Sequence, residues 1–356
     1  MSVKIQDKML VLGLMSGTSL DGLDLALCTF VGIEGKYSYK IIAAKTVEYS
    51  SVWKKRLSEV KGSAAEDYFT LDVVYANYVA DEINLFLKAA QMKPELIASQ
   101  GHTVFHQPKK GFTTQLGSGA IIAAHTQITT VCDFRSLDVA LGGQGAPLVP
   151  IGDALLFGNY EACLNIGGIA NISFVKDGKR MAYDVCEANM LLNLLAERAG
   201  KSFDKGGVMA RSGIVDEKLL AKMNGQEYYA QKGAKSMGRE WFEINIQDLL
   251  DNKQNINDLL ATATEHIATI IAQELNHHDL KNVLISGGGA FNSFLIETLR
   301  SKTKCEIIVP KDEIINFKEA VIFAFLGFLR IHQKTNTLKS VTGALKDSVG
   351  GAVYLG

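Results

Sequence analysis

The feature of this sequence that most constrains its fold is an order of short apolar segments that occurs once in each half of the chain. The first half opens with three strand-like segments, Met9–Met15, Asp24–Val31 and Tyr37–Tyr49, and the second half with Ala162–Ile166, Ala170–Val175 and Arg180–Val185. In both halves a polar or glycine-containing turn separates the first two strands, and helical periodicity follows the third. This pattern predicts two related α/β lobes that arose by internal duplication.

The length agrees with two lobes, because 356 residues exceed what one hydrophobic core usually supports. We expect the first lobe to cover residues 1–133, rejoined by residues 341–356, and the second to cover residues 134–340. Further strands are predicted at Leu96–Ser99, Phe112–Leu116, Ile128–Phe134 and Val283–Ser286, and helices at Val52–Val60, Ala65–Met92, Leu259–Leu275, Ala290–Leu299 and Phe317–Ile331, with others from Ala120 and near Asn189.

Charge and cysteine usage limit the partners and the compartment. The chain has 37 basic and 38 acidic residues, a balance that indicates neither a nucleic-acid partner nor an anionic membrane. The N-terminus has no apolar stretch of signal-peptide length before the first predicted strand, and no run approaches the length of a membrane span. The cysteines form no C-x-x-C pair, which argues against a zinc site or a disulfide framework. We therefore expect a cytoplasmic protein that acts on a small molecule; its five cysteines are Cys28, Cys132, Cys163, Cys186 and Cys305.

Glycine is the informative excess in the composition, with 33 glycines against 5 prolines, and several glycines lie at turns. Backbone N–H groups and hydroxyls at the first turn could bind phosphate. Asp21 and Asp24 would repel an anion there unless Mg²⁺ lies between them, bound directly or through water. The alternative is an ordinary polar hairpin tip. The candidate nucleotide-binding residues of this turn are Ser16, Gly17, Thr18, Ser19, Asp21 and Gly22.

Two further glycine turns lie in the second half. Gly167 and Gly168 follow a strand and could bind phosphates, although a simple hairpin bend would use the same residues. The segment Ser286–Asn292 places glycines between a strand and a helix, where backbone can lie flat against an adenosine; tight strand-to-helix packing is its alternative. Neither a P-loop nor a G-x-G-x-x-G motif is present. The candidate nucleotide-binding residues of the third turn are Gly287, Gly288, Gly289 and Asn292.

These turns and the runs around them resemble those of the anhydro-N-acetylmuramic acid kinase family, in the superfamily of actin, hexokinase and the heat-shock ATPases. The resemblance extends over nearly the whole chain and rests on the runs GLMSGTSLDG, DFRSLDVALGGQGAPLVP, LNIGGIANIS, KSMGRE and SGGGAFN. It implies two duplicated actin-like, ribonuclease H-like lobes that flank a nucleotide and sugar cleft. It also implies a kinase that uses ATP and Mg²⁺, adds water across the 1,6-anhydro bond and phosphorylates the 6-oxygen, during peptidoglycan recycling. A homodimer follows from the resemblance alone.

The resemblance also assigns roles to individual residues. Asp184 matches the general base of the family, and a carboxylate suits the activation of a water that attacks an anomeric carbon. Capping of the helix near Asn189 is the alternative use of this aspartate. Substrate contacts are expected from His102, Arg135, Gln144 and Glu319.

Structural roles remain open for the two charged substrate residues. Arg135 could hold a carboxylate or phosphate in two-pronged fashion, or it could form an ion pair with Asp133 or Asp138. Glu319 could accept hydrogen bonds from sugar hydroxyls, or it could be a solvated residue in the first turn of a helix.

Two runs depart from the family pattern. The family reads D-x-G-P-G-N after the base, whereas this chain has Cys186, Glu187 and Ala188 in place of the glycine and proline positions. The family commonly reads S-H-G-Q-T where this chain has Gln100 and His102 exchanged. A metal site at His102 and His106 is the alternative to a sugar contact. Another carbohydrate kinase of the superfamily and a non-catalytic ATP-binding regulator are the competing functions.

Overall fold

The computed structural model describes residues 8–231, 233, 235–250 and 254–356. The strands, in chain order, are β1 (Lys8–Ser16), β2 (Gly22–Ile33), β3 (Lys36–Glu48), β4 (Leu96–Gln107), β5 (Phe112–Leu116), β6 (Thr130–Cys132), β7 (Ala162–Ile166), β8 (Ile169–Lys176), β9 (Lys179–Glu187), β10 (Asn282–Ser286), β11 (Glu306–Ile308) and β12 (Ala352–Tyr354).

The α-helices are α1 (Ser51–Glu59), α2 (Ala65–Ala90), α3 (Gly119–Thr126), α4 (Ser136–Ala140), α5 (Val149–Leu156), α6 (Asn189–Arg198), α7 (Val208–Ser212), α8 (Glu217–Asn224), α9 (Glu227–Ala230), α10 (Arg239–Asn245), α11 (Ile256–His277), α12 (Ser293–Lys302), α13 (Asp312–Ile331) and α14 (Lys339–Thr342). Within the described ranges, no helix is both long enough and apolar enough to cross a membrane.

The chain divides into two compact units. Unit 1 runs up to Leu156 and includes Phe317–Gly356, and unit 2 is Phe157–Asn316. Residues 134–156 and 317–340, which the sequence-based division assigned to the second lobe, therefore lie in unit 1. Close packing of α13 explains this difference, because a Cβ at Gly327 would lie 2.6 Å from the Cβ of Ala98 in β4.

The two units have the same sheet topology. In unit 1, β3-β2-β1-β4-β6 follow one another, with the β1–β2 and β2–β3 pairs antiparallel and the β1–β4 and β4–β6 pairs parallel. In unit 2, β9-β8-β7-β10-β11 repeat this order and these directions. Unit 1 adds β12 beside β6 and β5 beside β4. The predicted pair of duplicated α/β lobes is thus confirmed in the strand order.

Each unit has its own apolar core. In unit 1, leucines of β1 and β2 pack against Tyr75, Val79 and Ile83 of α2. In unit 2, residues of β7 to β10 pack against α6, α11 and α12. The central strand segment Val11–Leu14 is buried at every position, which is the pattern of a strand covered on both faces.

Most predicted elements are present, with shifted ends. The strand predicted at Leu96–Ser99 continues to Gln107 as β4. The helix predicted from Ala290 begins at Ser293, because the Asn292 side chain accepts a hydrogen bond from Leu295 N at 3.1 Å and acts as the N-cap. The short strands β11 and β12 and the helices α4, α5 and α14 were not predicted from the sequence, and α7 to α10 were predicted only as helices that follow Asn189, without positions.

Candidate functional site

The first glycine turn connects β1 to β2 in unit 1. Leu20 N donates a hydrogen bond to Gly17 O at 3.3 Å, and Leu20 itself has a positive φ of 61°. Thr18, Ser19 and Asp21 are exposed at this turn. Their hydroxyl and carboxylate groups are therefore accessible from solvent, as a phosphate-binding or metal-binding turn requires.

Ser16 differs from the rest of the turn, because it is buried at the end of β1. Its Oγ lies 2.7 Å from Tyr49 OH and 2.9 Å from His102 Nδ1, and Tyr49 OH lies 2.6 Å from Tyr75 OH. Burial lowers the pKa of His102 to about 4, so this imidazole is neutral at physiological pH. Ser16 and His102 thus belong to a neutral chain of buried hydrogen bonds.

The possible metal site at His102 and His106 is not supported by the geometry. His106 Nδ1 lies 3.2 Å from Thr113 Oγ1, and His102 is bonded to Ser16. Among the residues that the structure describes, no group of three or more histidine, cysteine, aspartate or glutamate side chains could hold a metal ion. The predicted sugar contact of His102 stays a prediction.

The buried chain predicts the effect of Ser16→Ala on stability. Removal of Oγ deprives Tyr49 OH and His102 Nδ1 of a shared partner inside the core, so we expect the free energy of unfolding to fall by about 1–3 kcal/mol. Urea denaturation measures this change. The exposed hydroxyl of Thr18 provides the control, since Thr18→Ala should change stability by no more than about 0.5 kcal/mol. Equal effects of the two substitutions would contradict a structural role for the chain.

Two carboxylates lie close together at the first turn. Thr46 Oγ1 donates a hydrogen bond to Asp24 Oδ1 at 2.6 Å. Burial raises the pKa of Asp24, and the nearby negative charge of Asp21 raises it further. Mg²⁺ is usually bound by one or two carboxylates while it keeps several waters. Asp21 and Asp24 fit that mode of binding, because a bound cation would relieve their repulsion.

Arg135 and Glu319 come together in unit 1. Burial lowers the pKa of Arg135 to about 10, and the neighbouring Glu319 opposes this shift. Burial also raises the pKa of Glu319, against the positive charges of Lys318 and Arg135. Arg135 Nη1 donates to Gly145 O at 2.7 Å, so the guanidinium is anchored by one hydrogen bond to backbone.

The structural alternatives for these two residues are not borne out. Asp133 Oδ1 accepts hydrogen bonds from Ser136, and Asp138 accepts them from Gly145 N and Thr342 Oγ1, so both carboxylates are engaged elsewhere. Glu319 lies well beyond the first turn of α13, because that helix begins at Asp312, and its side chain is half-buried.

Gln144, the fourth predicted substrate residue, is exposed in the segment after α4. Its backbone N donates to Thr342 O at 2.8 Å, which holds the segment beside α14. The amide side chain is accessible from solvent. Its predicted contact with substrate is compatible with this position and stays a prediction.

A polar cavity of about 260 Å³ lies in unit 1 beside the end of β4. Gln100 lines it and is buried, and Gln100 Nε2 donates to Thr103 Oγ1 at 3.1 Å. Among the described residues Gln100 Oε1 has no hydrogen-bond partner. A buried amide oxygen without a partner is costly, so it favours a ligand that donates a hydrogen bond there. Other residues that line the cavity are Asp72, Thr114, Gly117, Cys132 and Asp133.

The second and third glycine turns are neighbours in unit 2. Ser286 pairs with Asn165 at the adjacent ends of β10 and β7, so the turns that follow both strands lie side by side. Neither Gly167 nor Gly168 has a positive φ, and a Cβ at Gly168 would meet nothing nearer than Met190 Cβ at 4.0 Å. The usual two-residue hairpin requires positive φ. Ile166 pairs with Ala170, so the glycines do lie in a short hairpin bend, but that bend does not use the positive φ that only glycine readily adopts, and at Gly168 a ligand could approach the backbone.

Packing explains two of the three glycines in the third turn. Gly287 has a φ of 80°, and a Cβ there would lie 2.5 Å from Asn165 Oδ1. A Cβ at Gly289 would lie 2.7 Å from the Cβ of Ile166. Both glycines are thus required by contact with the end of β7. Gly288 is different, since its Cβ would lie 3.5 Å from Asn189 Nδ2, an ordinary contact distance, and its surface is open to a ligand.

Asp184 lies near the end of β9, where the register of the β8–β9 pair shifts at Val185. Its Oδ2 accepts hydrogen bonds from Met237 N at 2.9 Å and Ser236 Oγ at 3.2 Å. Burial raises the pKa of Asp184, and these two hydrogen bonds oppose the shift. The carboxylate is half-buried and oriented by a separate segment. This is an environment suited to a general base.

The alternative role of Asp184 as a helix cap is wrong. The N-cap position of α6 is Ala188, and no side chain caps that helix. Asp184 instead binds the loop that precedes α10. Tyr228 OH also donates to the backbone oxygen of Asp184 at 3.0 Å, so the aspartate is held through its side chain and its main chain.

Some contributors to the site were not predicted from the sequence. Asn189 Nδ2 donates to Ile166 O at 3.1 Å beside Gly288, and Asn165 lies against Gly287. Ser236 and Met237 bind Asp184 from a loop far away in sequence. The run KSMGRE is recognisable as a motif in the sequence, but no spacing in one sequence connects it with β9.

Comparison with known proteins identifies the family. The profile of the family described as anhydro-N-acetylmuramic acid kinase matches residues 9–356. Among the curated relatives, anhydro-N-acetylmuramic acid kinase of Sulfurovum sp. (strain NBC37-1) is 37% identical, covering 97% of this chain and 98% of the relative. That of Aliivibrio fischeri is 36% identical, covering 96% and 98%.

Similarity to solved structures is more distant. The activator of the 2-hydroxyisocaproyl-CoA dehydratase from Clostridium difficile aligns with a TM-score of 0.44 at 14% identity, covering 91% of this chain and 96% of that one. The profile match and the curated relatives each extend over nearly the full chain. The chain therefore belongs to the anhydro-N-acetylmuramic acid kinase family.

Proposed function

We propose that this kinase hydrolytically opens 1,6-anhydro-N-acetylmuramic acid and phosphorylates its 6-oxygen with ATP, giving N-acetylmuramic acid 6-phosphate for peptidoglycan recycling. The observation that carries the proposal is the half-buried carboxylate of Asp184, which is oriented by Met237 and Ser236 and has a raised pKa. The family assignment supplies the substrate class.

In this proposal Asp184 acts as the general base. Its carboxylate removes a proton from a water that attacks the anomeric carbon, and the bond between that carbon and the 6-oxygen breaks. The electron pair of the broken bond stays on the 6-oxygen, which then attacks the γ-phosphorus of ATP and releases ADP. The proton that Asp184 removes from water is finally released to solvent, either directly or after a transient stay on the departing 6-oxygen. The reaction consumes one water and one ATP for each sugar.

The sugar-binding groups are proposed in unit 1. The Arg135 guanidinium would bind the lactyl carboxylate of the sugar, since it has one hydrogen bond to backbone and further N–H donors. Glu319 and Gln100 would accept hydrogen bonds from hydroxyl or amide groups. The unpartnered Gln100 Oε1 supports a donor on the ligand.

The nucleotide-binding groups are proposed at the three glycine turns. Backbone N–H groups at Gly17, Gly167 and Gly168 would bind phosphate oxygens, and the open face of Gly288 would lie against the adenosine. Asp21 and Asp24 would hold Mg²⁺, which neutralises phosphate charge when it is bound. The five free thiols support action in the reducing cytoplasm.

A coupled assay of ADP release across a small sugar panel tests the function. We expect turnover with 1,6-anhydro-N-acetylmuramic acid and little turnover with glucose or N-acetylglucosamine. Chelation of Mg²⁺ should abolish turnover, and addition of Mg²⁺ should restore it. In ¹⁸O-labelled water the label should appear on the anomeric carbon and not on the phosphate, because water opens the ring.

Three other outcomes would overturn the proposal. Efficient phosphorylation of an ordinary hexose, with indifference to the anhydro bond, would indicate another carbohydrate kinase. Nucleotide binding without sugar-stimulated turnover would indicate a regulator. Label on the phosphate would mean that water attacks phosphorus, so that ring opening and transfer are not linked as proposed.

A further inference from the structure

A buried hydrogen-bonded network lies at the end of β9, three residues beyond Asp184. Glu187 Oε1 is 2.9 Å from His266 Nε2, and Glu187 Oε2 accepts a hydrogen bond from Tyr229 OH at 2.7 Å. His266 Nδ1 is 2.6 Å from Asn224 Oδ1. The side chains of Glu187 and His266 are completely inaccessible to solvent. We refer to Glu187, His266, Tyr229 and Asn224 as the Glu187 network.

Both ring nitrogens of His266 have partners in the network. Nδ1 lies 2.6 Å from Asn224 Oδ1, and Nε2 lies 2.9 Å from Glu187 Oε1 and 3.2 Å from Tyr229 OH. Contacts at both nitrogens hold the imidazole ring in one orientation.

The network joins one strand end to three helices. Glu187 is the last residue of β9, Asn224 ends α8, Tyr229 is in α9 and His266 is in α11. Both oxygens of Glu187 are engaged, and a fully satisfied buried network holds its members in one arrangement. The end of β9 is consequently fixed from several directions.

Hydrogen bonds of neighbouring residues connect the Glu187 network with the candidate site. Immediately after it, Ala188 N and Met190 N donate to Gly168 O at 2.8 and 3.0 Å, and Asn189 N donates to Gly167 O at 3.0 Å. The second glycine turn is therefore held by the backbone that Glu187 anchors. The network is also connected with Asp184 through α9. Tyr228, which precedes Tyr229 in that helix, donates a hydrogen bond from its hydroxyl to the backbone oxygen of Asp184.

We propose that Glu187 is a positioning residue that sets the place of both Asp184 and the Gly167–Gly168 turn through its bonds with His266 and Tyr229. Glu187 contacts neither substrate. It acts by fixing the end of β9. Asp184 precedes Glu187 on this strand, and the residues that follow Glu187 donate hydrogen bonds to the Gly167–Gly168 turn. This inference rests on the proposed role of Asp184, but its effect on nucleotide binding can be measured without turnover.

Glu187→Ala and Glu187→Gln together test the proposal. Glu187→Ala should lower kcat by about 100-fold, the size of effect that a displaced reacting group can have, and should weaken ATP binding measured by calorimetry. Glu187→Gln should keep most of both, because the glutamine amide oxygen can accept from Tyr229 OH and its N–H can donate to His266 Nε2. If Glu187→Ala does not fold, Tyr229→Phe removes one hydroxyl, with its contacts to Glu187 Oε2 and His266 Nε2, and should show the same losses at smaller size.

Asp216→Ala is the matched control in the same unit. Asp216 is also an anchoring carboxylate, which accepts from Lys218 N and Leu219 N at the start of α8, and it has no bond to β9 among those that the structure describes. We expect Asp216→Ala to lower Tm and to leave kcat and ATP affinity unchanged. If Glu187→Ala and Tyr229→Phe behave like this control, the network is structural and the proposal is overturned.

The two proposals can fail separately. A parent protein that does not phosphorylate the anhydro sugar would refute the proposed function, whereas the ATP affinity of Glu187→Ala would still decide whether Glu187 positions the phosphate turn. An active parent together with a fully active, folded Glu187→Ala would refute only the positioning role. Loss of activity in Glu187→Gln equal to that in Glu187→Ala would also contradict it, since positioning by hydrogen bonds predicts rescue.

Discussion

Asp184→Asn is expected to lower kcat for phosphorylation of the anhydro sugar by about two to four orders of magnitude, the usual effect of losing a general base. Asparagine keeps the size of the side chain, and its Oδ1 can still accept the hydrogen bond from Met237 N. The loss should therefore appear in kcat and leave ATP binding intact. The coupled assay of ADP release measures it under saturating sugar.

Ser236→Ala is the control for this substitution. It removes only the longer of the two hydrogen bonds to the Asp184 carboxylate, at 3.2 Å, and should have a much smaller effect on kcat. A loss below tenfold in Asp184→Asn would mean that another group removes the proton from water.

The same variant has an opposite consequence for stability. Burial raises the folded-state pKa of Asp184 above its value of about 4 in the unfolded chain. The protonated form is thus favoured in the folded state, and this contribution is lost as the pH rises through the folded pKa. We expect Asp184→Asn to have a higher Tm than the parent at neutral pH, with the difference vanishing near pH 4. A lower Tm at neutral pH would show that its hydrogen bonds outweigh the desolvation cost.

Gly289→Ala is expected to destabilise the fold. The added Cβ would lie 2.7 Å from the Cβ of Ile166 and 3.0 Å from its carbonyl oxygen, distances that require the end of β7 to move. Overpacking of this kind costs about 1–3 kcal/mol in the free energy of unfolding. Because β7 leads directly into Gly167 and Gly168, we also expect weaker ATP binding. Thermal unfolding and calorimetry measure the two effects.

Gly288→Ala, one residue earlier, separates packing from ligand contact. Its Cβ would lie 3.5 Å from the nearest atom, so we expect a change in stability within about 0.5 kcal/mol. If the adenosine lies against Gly288, the KM for ATP should nevertheless rise. Equal destabilisation by the two alanines would contradict the packing argument, and an unchanged KM in Gly288→Ala would remove Gly288 from the nucleotide site.

The sequence predicted the parts of the fold that depend on local periodicity. The meanders β1–β3 and β7–β9 and the start of α6 at Asn189 were located from apolar segments and turns. The unit boundaries were placed elsewhere, because they depend on how α13 packs against β1 and β4. That contact needs small residues at Gly13 and Gly327, and one sequence does not show which glycines serve close packing.

The sequence likewise predicted only part of the candidate site. Glycine turns and charged residues were visible as motifs, but the partners of Asp184 and the burial of Ser16 were not, since both depend on residues distant in sequence. In the sequence, Glu187 is distinguished only by its departure from a family pattern. Its partner His266 is 79 positions away in α11, a helix whose apolar sequence pattern is that of an ordinary core helix.

The unequal length of the two equivalent turns affects how each half can change over evolution. Five residues, 17–21, connect β1 to β2, whereas Gly167 and Gly168 alone connect β7 to β8. The shorter connection offers a ligand mainly backbone groups, which substitution alters little unless it adds a blocking side chain. The longer one exposes hydroxyls and a carboxylate that single substitutions can exchange. If both turns bind the nucleotide as proposed, selection for a different divalent ion or phosphate donor can act residue by residue on the first turn, while the second turn is limited to keeping its glycines.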